Sequence, residues 1–328
     1  MPVASSLYSS IWSECVQGYQ WPEDVKSALL GGEAFSFDES HLLKLAAGAP
    51  RRGYFLLTFL SSEYLPLGLQ WAQFALKAGL RRFAIAAMDA KTGEELRKRA
   101  IPVAEVRLPS ALAKVAHYRN PGGFSGKALA LIYCRVRLIK FLVDNRINAL
   151  SSDIDALITK DPGPHLDRSP AIAFQRVMGF ARPLARIWGF TACAGFVAYR
   201  ASPDVSAVLS RVLSIQQDVS CDQLALNLAL LEDQVRWRFN CHRFETDQRL
   251  VDDFTAQAGQ SIYGHLPGTH INLEALPATT FWRHSFVPLN RRASVILHPN
   301  SPKSVEGKLD IFAKILGKGE MCLPSDQS

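Results

Sequence analysis

Asp153 and Asp155 stand one residue apart directly after a short apolar run, Ile147 to Leu150, and two small polar residues, Ser151 and Ser152. On an extended chain, side chains two residues apart point to the same side of the backbone. Two carboxylates so placed can share a hard divalent cation through oxygen ligands, and such a cation can hold a diphosphate. Acids at this spacing also occur in ordinary solvated loops, so the context matters. The preceding run reads as a buried strand, which places the acids at the carboxyl edge of a sheet, where open α/β sheets bind ligands. Asp161-Pro162 closes the segment with a turn.

The elements that must position these acids alternate. Tyr54 to Leu60 is a fully apolar run bounded by turn signals and reads as a central strand covered on both faces. A helical pattern from Tyr64 to Lys77 stops at Gly79, and Phe83 to Ala87 forms a second strand ending at Asp89. Thr92 to Ala100 carries Glu94 and Glu95 early and Arg97 to Arg99 late, a charge order that suits a helix dipole. Ile101 to Leu108 is another strand. A long helix from Phe124 to Asp144 leads into the strand that bears the acids. This β-α-β order predicts a mostly parallel α/β sheet.

Beyond the acids, Ala171 to Gln175 and Phe190 to Tyr199 read as strands, the second interrupted by Gly195, where an interior glycine marks close approach of a ligand or another backbone. Helices are expected over Pro203 to Gln217 and Asp222 to Leu231, where Asp222 reads as a simple cap. Val235 to Phe239 is expected to be extended and residues 240 to 290 irregular, suiting acceptor loops or a lid. Ser294 to His298 reads as a strand, followed by a helix from Ser304 to Leu316. Before the first strand, helices are expected to start near Trp21-Pro22 and at Asp38. The organisation expected is an N-terminal helical extension, 1–50, and one domain, 51–328, with halves of about 51–162 and about 163–328.

Composition bounds the class. The chain has 328 residues, 48% of them apolar, and a net charge of +7, which describes a globular protein with a sizeable core. The N-terminus lacks a basic start followed by an apolar segment, and no stretch is long enough to span a bilayer, so a soluble cytoplasmic protein is expected. Six cysteines are scattered without CxxC pairs, as in a reducing compartment. Arg97, Lys98, Arg99, Arg107, Lys114, Arg119, Lys127, Arg135, Arg137 and Lys140 face only Glu105 within their stretch. They form either a solvated helix surface or a basic face attracting an anionic ligand or acidic membrane lipid, the latter giving peripheral membrane contact through 97–140. Aromatic residues are not interleaved with them, which argues against nucleic acid. The GxxxxGK[ST] spacing is absent around Gly122 to Lys127, which excludes a phosphate loop of that type. Lys127, at a helix start, is either a phosphate contact or a solvated lysine.

Leu56-Leu57-Thr58-Phe59, Met88-Asp89, Lys127, Ser152-Asp153-Ile154-Asp155, Asp161-Pro162, Ala194-Gly195-Phe196, Asp222-Gln223 and His298-Pro299-Asn300 with Lys308 occur in an order that resembles nucleotide-diphospho-sugar transferases of the GT-A fold. The resemblance is close to glycosyltransferase family 77 and its bacterial relatives and covers residues 53 to 316. It implies a GT-A type α/β domain, with a nucleotide-binding half of about 51–162 and an acceptor-side half of about 163–328, and a retaining hexosyl- or pentosyltransferase that uses a UDP-sugar, with Asp153, Asp155 and His298 on Mn²⁺ or Mg²⁺. It further implies Thr58, Phe59 and Asp89 around the uridine and ribose, and Ser152, Asn300, Lys127, Lys303 and Lys308 in the donor site. Gln175, Gly195, Asp222 and Gln223 would approach the sugar or acceptor, with Gln175, Asp222 and Gln223 the catalytic candidates. The acceptor expected is a glycan or glycolipid. Two alternatives stand beside this. A haloacid-dehalogenase-like phosphatase also uses Asp-x-Asp after an apolar strand, one acid as nucleophile and the other as general acid. A degenerate transferase could act as a sugar-binding or scaffold protein.

Overall fold

The computed structural model describes residues 3–30, 35–47, 53–108, 118–120, 123, 125–166, 171–238, 244, 246–283, 287–300 and 304–317. In chain order, the first half holds α1 (Val3–Val16), α2 (Glu23–Leu30), β1 (Ser36–Phe37), α3 (Glu39–Ala46), β2 (Phe55–Leu60), α4 (Leu65–Lys77), β3 (Phe83–Ala87), α5 (Ala90–Lys98), β4 (Val103–Arg107), α6 (Gly126–Asp144) and β5 (Ala149–Ser152). After the acids come β6 (Leu157–Ile158), α7 (Gly163–Leu166), β7 (Ile172–Val177), α8 (Arg182–Trp188), β8 (Thr191–Tyr199), α9 (Pro203–Ile215), α10 (Asp222–Glu232) and β9 (Arg236–Trp237). The chain continues through α11 (Asp247–Ala256), β10 (Ile262–His265), β11 (Asn272–Ala275), β12 (Phe281–Trp282), β13 (Ile296–Leu297) and α12 (Val305–Leu316).

Ten strands form one sheet in the order β1-β4-β3-β2-β5-β8-β7-β11-β10-β9. β4, β3, β2 and β5 run parallel, and β8 pairs antiparallel with both β5 and β7. Every residue of β2, β3 and β5 is buried, as expected for parallel strands covered on both faces. The chain leaves β2 toward β3 and β4 on one side and returns to place β5 on the other. The carboxyl ends of β2 and β5 therefore flank the point where the strand order reverses, which is where open α/β sheets open a crevice.

The sequence reading of the parallel half holds to within a few residues, because its strands are short apolar runs and its helices have capping residues. Asp89 accepts from Thr92 N at 2.8 Å to cap α5, and Gly79 follows α4 with φ +85°, a conformation glycine adopts without strain. The expectation of an irregular segment over 240–290 is corrected. α11, β10, β11 and β12 lie there, and β11 joins β7 in parallel while β10 pairs with β11 and β9. Its strands are two to four residues long and set among Pro, Gly and aromatic residues, so no period emerges in the sequence. Ser36–Phe37 pairs with β4, and α1 packs on α8 and α10, so the first fifty residues contribute to the sheet edge and to its helical cover.

The basic face is also corrected. Lys98 pairs with Glu94 and Glu95, Arg99 with Glu95, Arg97 with Glu105 and Lys140 with Asp144, while Arg135 points inward and is 6% exposed. Lys98, Arg99 and Lys140 meet acids three or four residues away on their own helices and Arg97 meets Glu105 of β4, so these cations do not add up to one open field. Lys114 lies outside the described residues. Among the described residues, Cys15, Cys134, Cys193 and Cys221 are free and buried. No helix among them is long and apolar enough to cross a membrane.

β8 outruns β5, and α10 supplies the missing partners. Asn227 Oδ1 accepts from Ala192 N at 2.8 Å and Asn227 Nδ2 donates to Ala192 O at 2.8 Å. Asn227 is fully buried. Asn227→Leu strands a buried N–H and a buried C=O, so chemical denaturation should show a loss of about 2–4 kcal/mol, against a far smaller loss for exposed Gln248→Leu.

Candidate metal centre and donor site

Asp153 follows β5 immediately, and its N–H donates to Gly195 O at 2.8 Å, extending the β5–β8 ladder by one bond. The chain then turns, with Ala156 N donating to Asp153 O at 3.0 Å. The two carboxylates thus converge across a turn and not along an extended strand, which corrects the geometry expected from spacing alone. The turn is forced because β6, which starts at Leu157, belongs to a second sheet of order β12-β13-β6.

That small sheet brings in the histidine. β6 pairs antiparallel with β13, Leu157 opposite Leu297 and Ile158 opposite Ile296. His298 is the next residue of one strand, and Asp155 lies just before the other. His298 Nε2 lies 3.4 Å from Asp155 Oδ1 and 3.7 Å from Asp153 Oδ2. The ligand atoms of all three residues lie within 4.8 Å of one another.

Gln175 decides which nitrogen faces the acids. Its Nε2 donates to Phe281 O at 2.9 Å and Trp282 O at 3.2 Å, so its Oε1 is left for His298 Nδ1 at 2.8 Å. Nδ1 therefore carries a proton and Nε2 faces the carboxylates, the orientation found behind a metal-ligating imidazole. Burial and the Arg283 guanidinium disfavour a second proton on the imidazole, but its hydrogen bonds with Asp155 and Cys193 and the Asp155 charge prevail and raise its pKa above the ordinary value.

Each acid also meets a cation. Burial works against the Asp155 charge, but His298 and the Lys308 ammonium beside it hold its carboxyl well below the usual carboxylate range. Arg135, from α6, grips Asp222 through Nε at 2.8 Å and through Nη2, and turns Nη1 to Asp153 Oδ1. Burial penalises the guanidinium charge, and the two carboxylates more than offset the penalty. With Oδ1 held this way, Asp153 presents Oδ2 to the centre. Two carboxylate oxygens and an imidazole nitrogen form a donor set that suits Mn²⁺ or Mg²⁺.

Gly195 makes the close approach possible. Between Phe174↔Val197 and Gln175↔Cys193 the β7–β8 register skips Ala194, Gly195 and Phe196, so β8 bulges there. A Cβ on Gly195 would fall 2.4 Å from Asp153 Oδ2 and 2.4 Å from His298 Cε1. The interior glycine thus marks contact with the ligand cluster, as its position in the strand suggested.

The other expected residues are distributed more widely. Ser152 is buried, with Trp71 Nε1 donating to its Oγ at 3.3 Å and its own hydroxyl donating to Asp153 O at 3.1 Å. Thr58 and Phe59 are 0% and 4% exposed inside β2. Asp89 uses one oxygen to cap α5 and the other to accept from Ser62 N at 2.9 Å. Asp222, 4% exposed, sits behind Arg135, and its cap position is taken by Cys221. Gln223 Oε1 accepts from Ala194 N at 3.4 Å beside the bulge. Asn300 is exposed two residues beyond His298. The Lys127 side chain and all of Lys303 lie outside the described residues. Sequence reasoning missed Arg283 and misplaced Arg135. The surroundings of Arg135 gave no sign of burial, since neither of its acids is near it in the chain.

Two predictions follow from this geometry. Gly195→Ala should weaken Mn²⁺ binding by more than about tenfold, the effect of about 1.4 kcal/mol, in a calorimetric titration of the folded variant. Arg135→Met should lower stability to urea by about 3–5 kcal/mol because it leaves Asp222 buried and uncompensated, with much of the loss recovered in Arg135→Met/Asp222→Leu.

No curated protein matches the chain. Among solved structures, the galactosyltransferase LgtC in complex with donor and acceptor sugar analogs matches at 14% identity and TM-score 0.39, over 53% of this chain and 69% of that one. Mouse xyloside xylosyltransferase 1 matches at 14% identity and TM-score 0.35, over 55% and 82%. The bifunctional glycosyltransferase WbbM matches at 12% identity and TM-score 0.37, over 54% of this chain and only 37% of WbbM. The model of the nucleotide-diphospho-sugar transferase family matches residues 78–312, a span that holds Asp153, Asp155, Gly195 and His298 and sets the phosphatase alternative aside. On that match, the chain belongs to the nucleotide-diphospho-sugar transferase family.

Proposed function

We propose that this chain is a metal-dependent retaining glycosyltransferase that moves a hexose or pentose from a UDP-sugar to a glycan or glycolipid acceptor. The observation that carries the proposal is the gathering of Asp153, Asp155 and His298 Nε2 at the strand-order reversal, in a chain of this family. Asp153, Asp155 and His298 hold Mn²⁺ or Mg²⁺. A divalent cation bound there supplies Lewis-acid charge against the diphosphate that departs as the glycosidic bond breaks.

The chain's own residues do the rest. Lys308 approaches the cluster from α12, and Lys127 and Lys303 are assigned to the same anionic group. Thr58, Phe59 and Asp89 belong to β2 and to the end of β3; they form the floor and loop support on the side assigned to the uridine and ribose. Gln175 positions His298, and Asp222 acts through Arg135 to position Asp153. Gln223, half-buried beside the Gly195 bulge, is assigned to the sugar or acceptor side with Gln175 and Asp222. Ser152 and Asn300 border the ligand residues in sequence. The enzyme is assigned to the cytoplasm.

A panel of nucleotide sugars, with and without Mn²⁺, tests this. Wild type should turn over a UDP-sugar only with the metal. Asp155→Ala should lose about a hundredfold or more, since it removes a ligand of the cation that would stabilise the departing diphosphate by several kcal/mol. Equal turnover by the variant, or turnover indifferent to the donor, would overturn the assignment. Retention is read separately from the anomeric configuration of the product, and Mn²⁺ binding without turnover of any donor would favour the degenerate sugar-binding reading.

A further inference from the structure

Gly18, with φ +79°, turns the chain after α1, and the residues that follow run beside the loop joining α9 to α10. Gln20 pairs antiparallel with Val219. Ser220 N donates to Tyr19 O at 2.7 Å and Trp21 N donates to Asp218 O at 3.2 Å, so the loop is held main chain to main chain. The buried Trp21 also donates Nε1–H to Gln216 O at 2.8 Å, which satisfies a carbonyl left open at the end of α9. Lys26 of α2 meets Asp218 Oδ1 at 2.6 Å. The same segment reaches α6. Trp21 and Val25 form a small buried cluster with Leu129, in the first turn of α6, and Tyr118 packs on it. Asn120, in the chain leading to α6, donates Nδ2–H to Ser220 O at 3.3 Å.

We propose that residues 19–26 are a brace that sets α10 against α6, with Trp21 as its positioning residue, and that the brace fixes the Asp222–Arg135–Asp153 chain at the metal centre. The inference rests on the reading of Asp153, Asp155 and His298 as that centre. Asp222 opens α10 two residues after Ser220, so a loop held at Ser220 fixes where the Asp222 carboxylate starts. Arg135 stands six residues beyond Leu129 on α6, about 9 Å along the helix, and its guanidinium joins Asp222 to Asp153 Oδ1. Each end of the Asp222–Arg135 pair thus sits on a helix whose start the brace holds. A buried ion pair offsets the loss of hydration only while its geometry is good. A shift of α10 against α6 slackens the Arg135 grip, and Asp153 loses the contact that turns its Oδ2 to the centre. The N-terminal segment therefore belongs to the working unit although none of its residues touches the ligand cluster.

Hydrogen exchange and Mn²⁺ calorimetry of the full chain test this without any turnover. In Trp21→Ala the amides of residues 220–225 should exchange about tenfold faster than in wild type, because local opening there becomes easier, while those of β2 keep their rates. Mn²⁺ binding by the same variant should weaken about threefold to tenfold, within the range that packed contacts transmit between distant groups. Leu42→Ala empties a fully buried position on α3, which packs on β3; it should lose stability to urea and keep wild-type Mn²⁺ affinity, and an equal loss of affinity there would reduce the Trp21 effect to general destabilisation and overturn the proposal. Trp21→Phe, which keeps an aromatic ring and loses the Nε1–H bond, should fall between wild type and Trp21→Ala and serves if Trp21→Ala fails to fold. Made in the Arg135→Met/Asp222→Leu background, Trp21→Ala should have no further effect on Mn²⁺ affinity; an undiminished loss there means that the effect does not run through the ion pair, against the proposal. Wild-type exchange at residues 220–225, or wild-type Mn²⁺ affinity in Trp21→Ala, would also overturn it and leave the metal reading intact. Failure of wild type itself to bind Mn²⁺ would remove the metal reading and this inference together.

Discussion

Electron-pair donors cannot be packed together inside a protein without positive charge among them, and the centre of this structure is organised by that requirement. Two unit charges of one sign about 4 Å apart repel by about 4 kcal/mol at an effective dielectric of about 20. Asp153, Asp155 and Asp222 are drawn into one cluster with an imidazole. Each acid is answered by a cation from a distant part of the chain, Arg135 of α6 and Lys308 of α12. The compensation ties α6 to α10 and α12 to the turn after β5.

The backbone that delivers these groups is built from short pairings. Two residues of β6 against two of β13 set His298 beside Asp155, and a bulge of three residues in β8 sets Gly195 against both Asp153 and His298. Neither feature is large, yet each acts where a shift of one residue would reverse the side chains it presents. Gln175 adds the last constraint. Its amide is anchored on two carbonyls of the β12 end, so the imidazole that it supports has one orientation. The ligand cluster is therefore held by main-chain groups of the small sheet as well as by ion pairs.

Much of this could be read before any coordinates. Asp153 and Asp155 followed an apolar run, and the run was a strand because β5 is buried on both faces. Gly195 interrupted an apolar strand, and the interruption was a contact with the ligand residues. His298 came from the ordered likeness to a known family, since one histidine after a short strand has no local feature that separates a ligand from a core residue. Gln175 and Asp222 were noticed, but their work is done through His298 and Arg135. Arg135 was counted among surface cations because its neighbours in the chain are a helix of mixed character. Arg283 left no mark at all in a segment that read as irregular.

The division follows from range. Local order, comprising the parallel strands, the helix caps and the acids at a strand end, is set by residues within a few positions of one another, so the amino-acid sequence by itself determined it. The approach of Asp155 to His298, of Arg135 to Asp222 and of Arg283 to the His298 ring joins residues far apart in the chain or lodged beside strands of two residues. Only the tertiary structure decided those contacts, because their energy comes from charge compensation in a shared interior that no stretch of sequence contains.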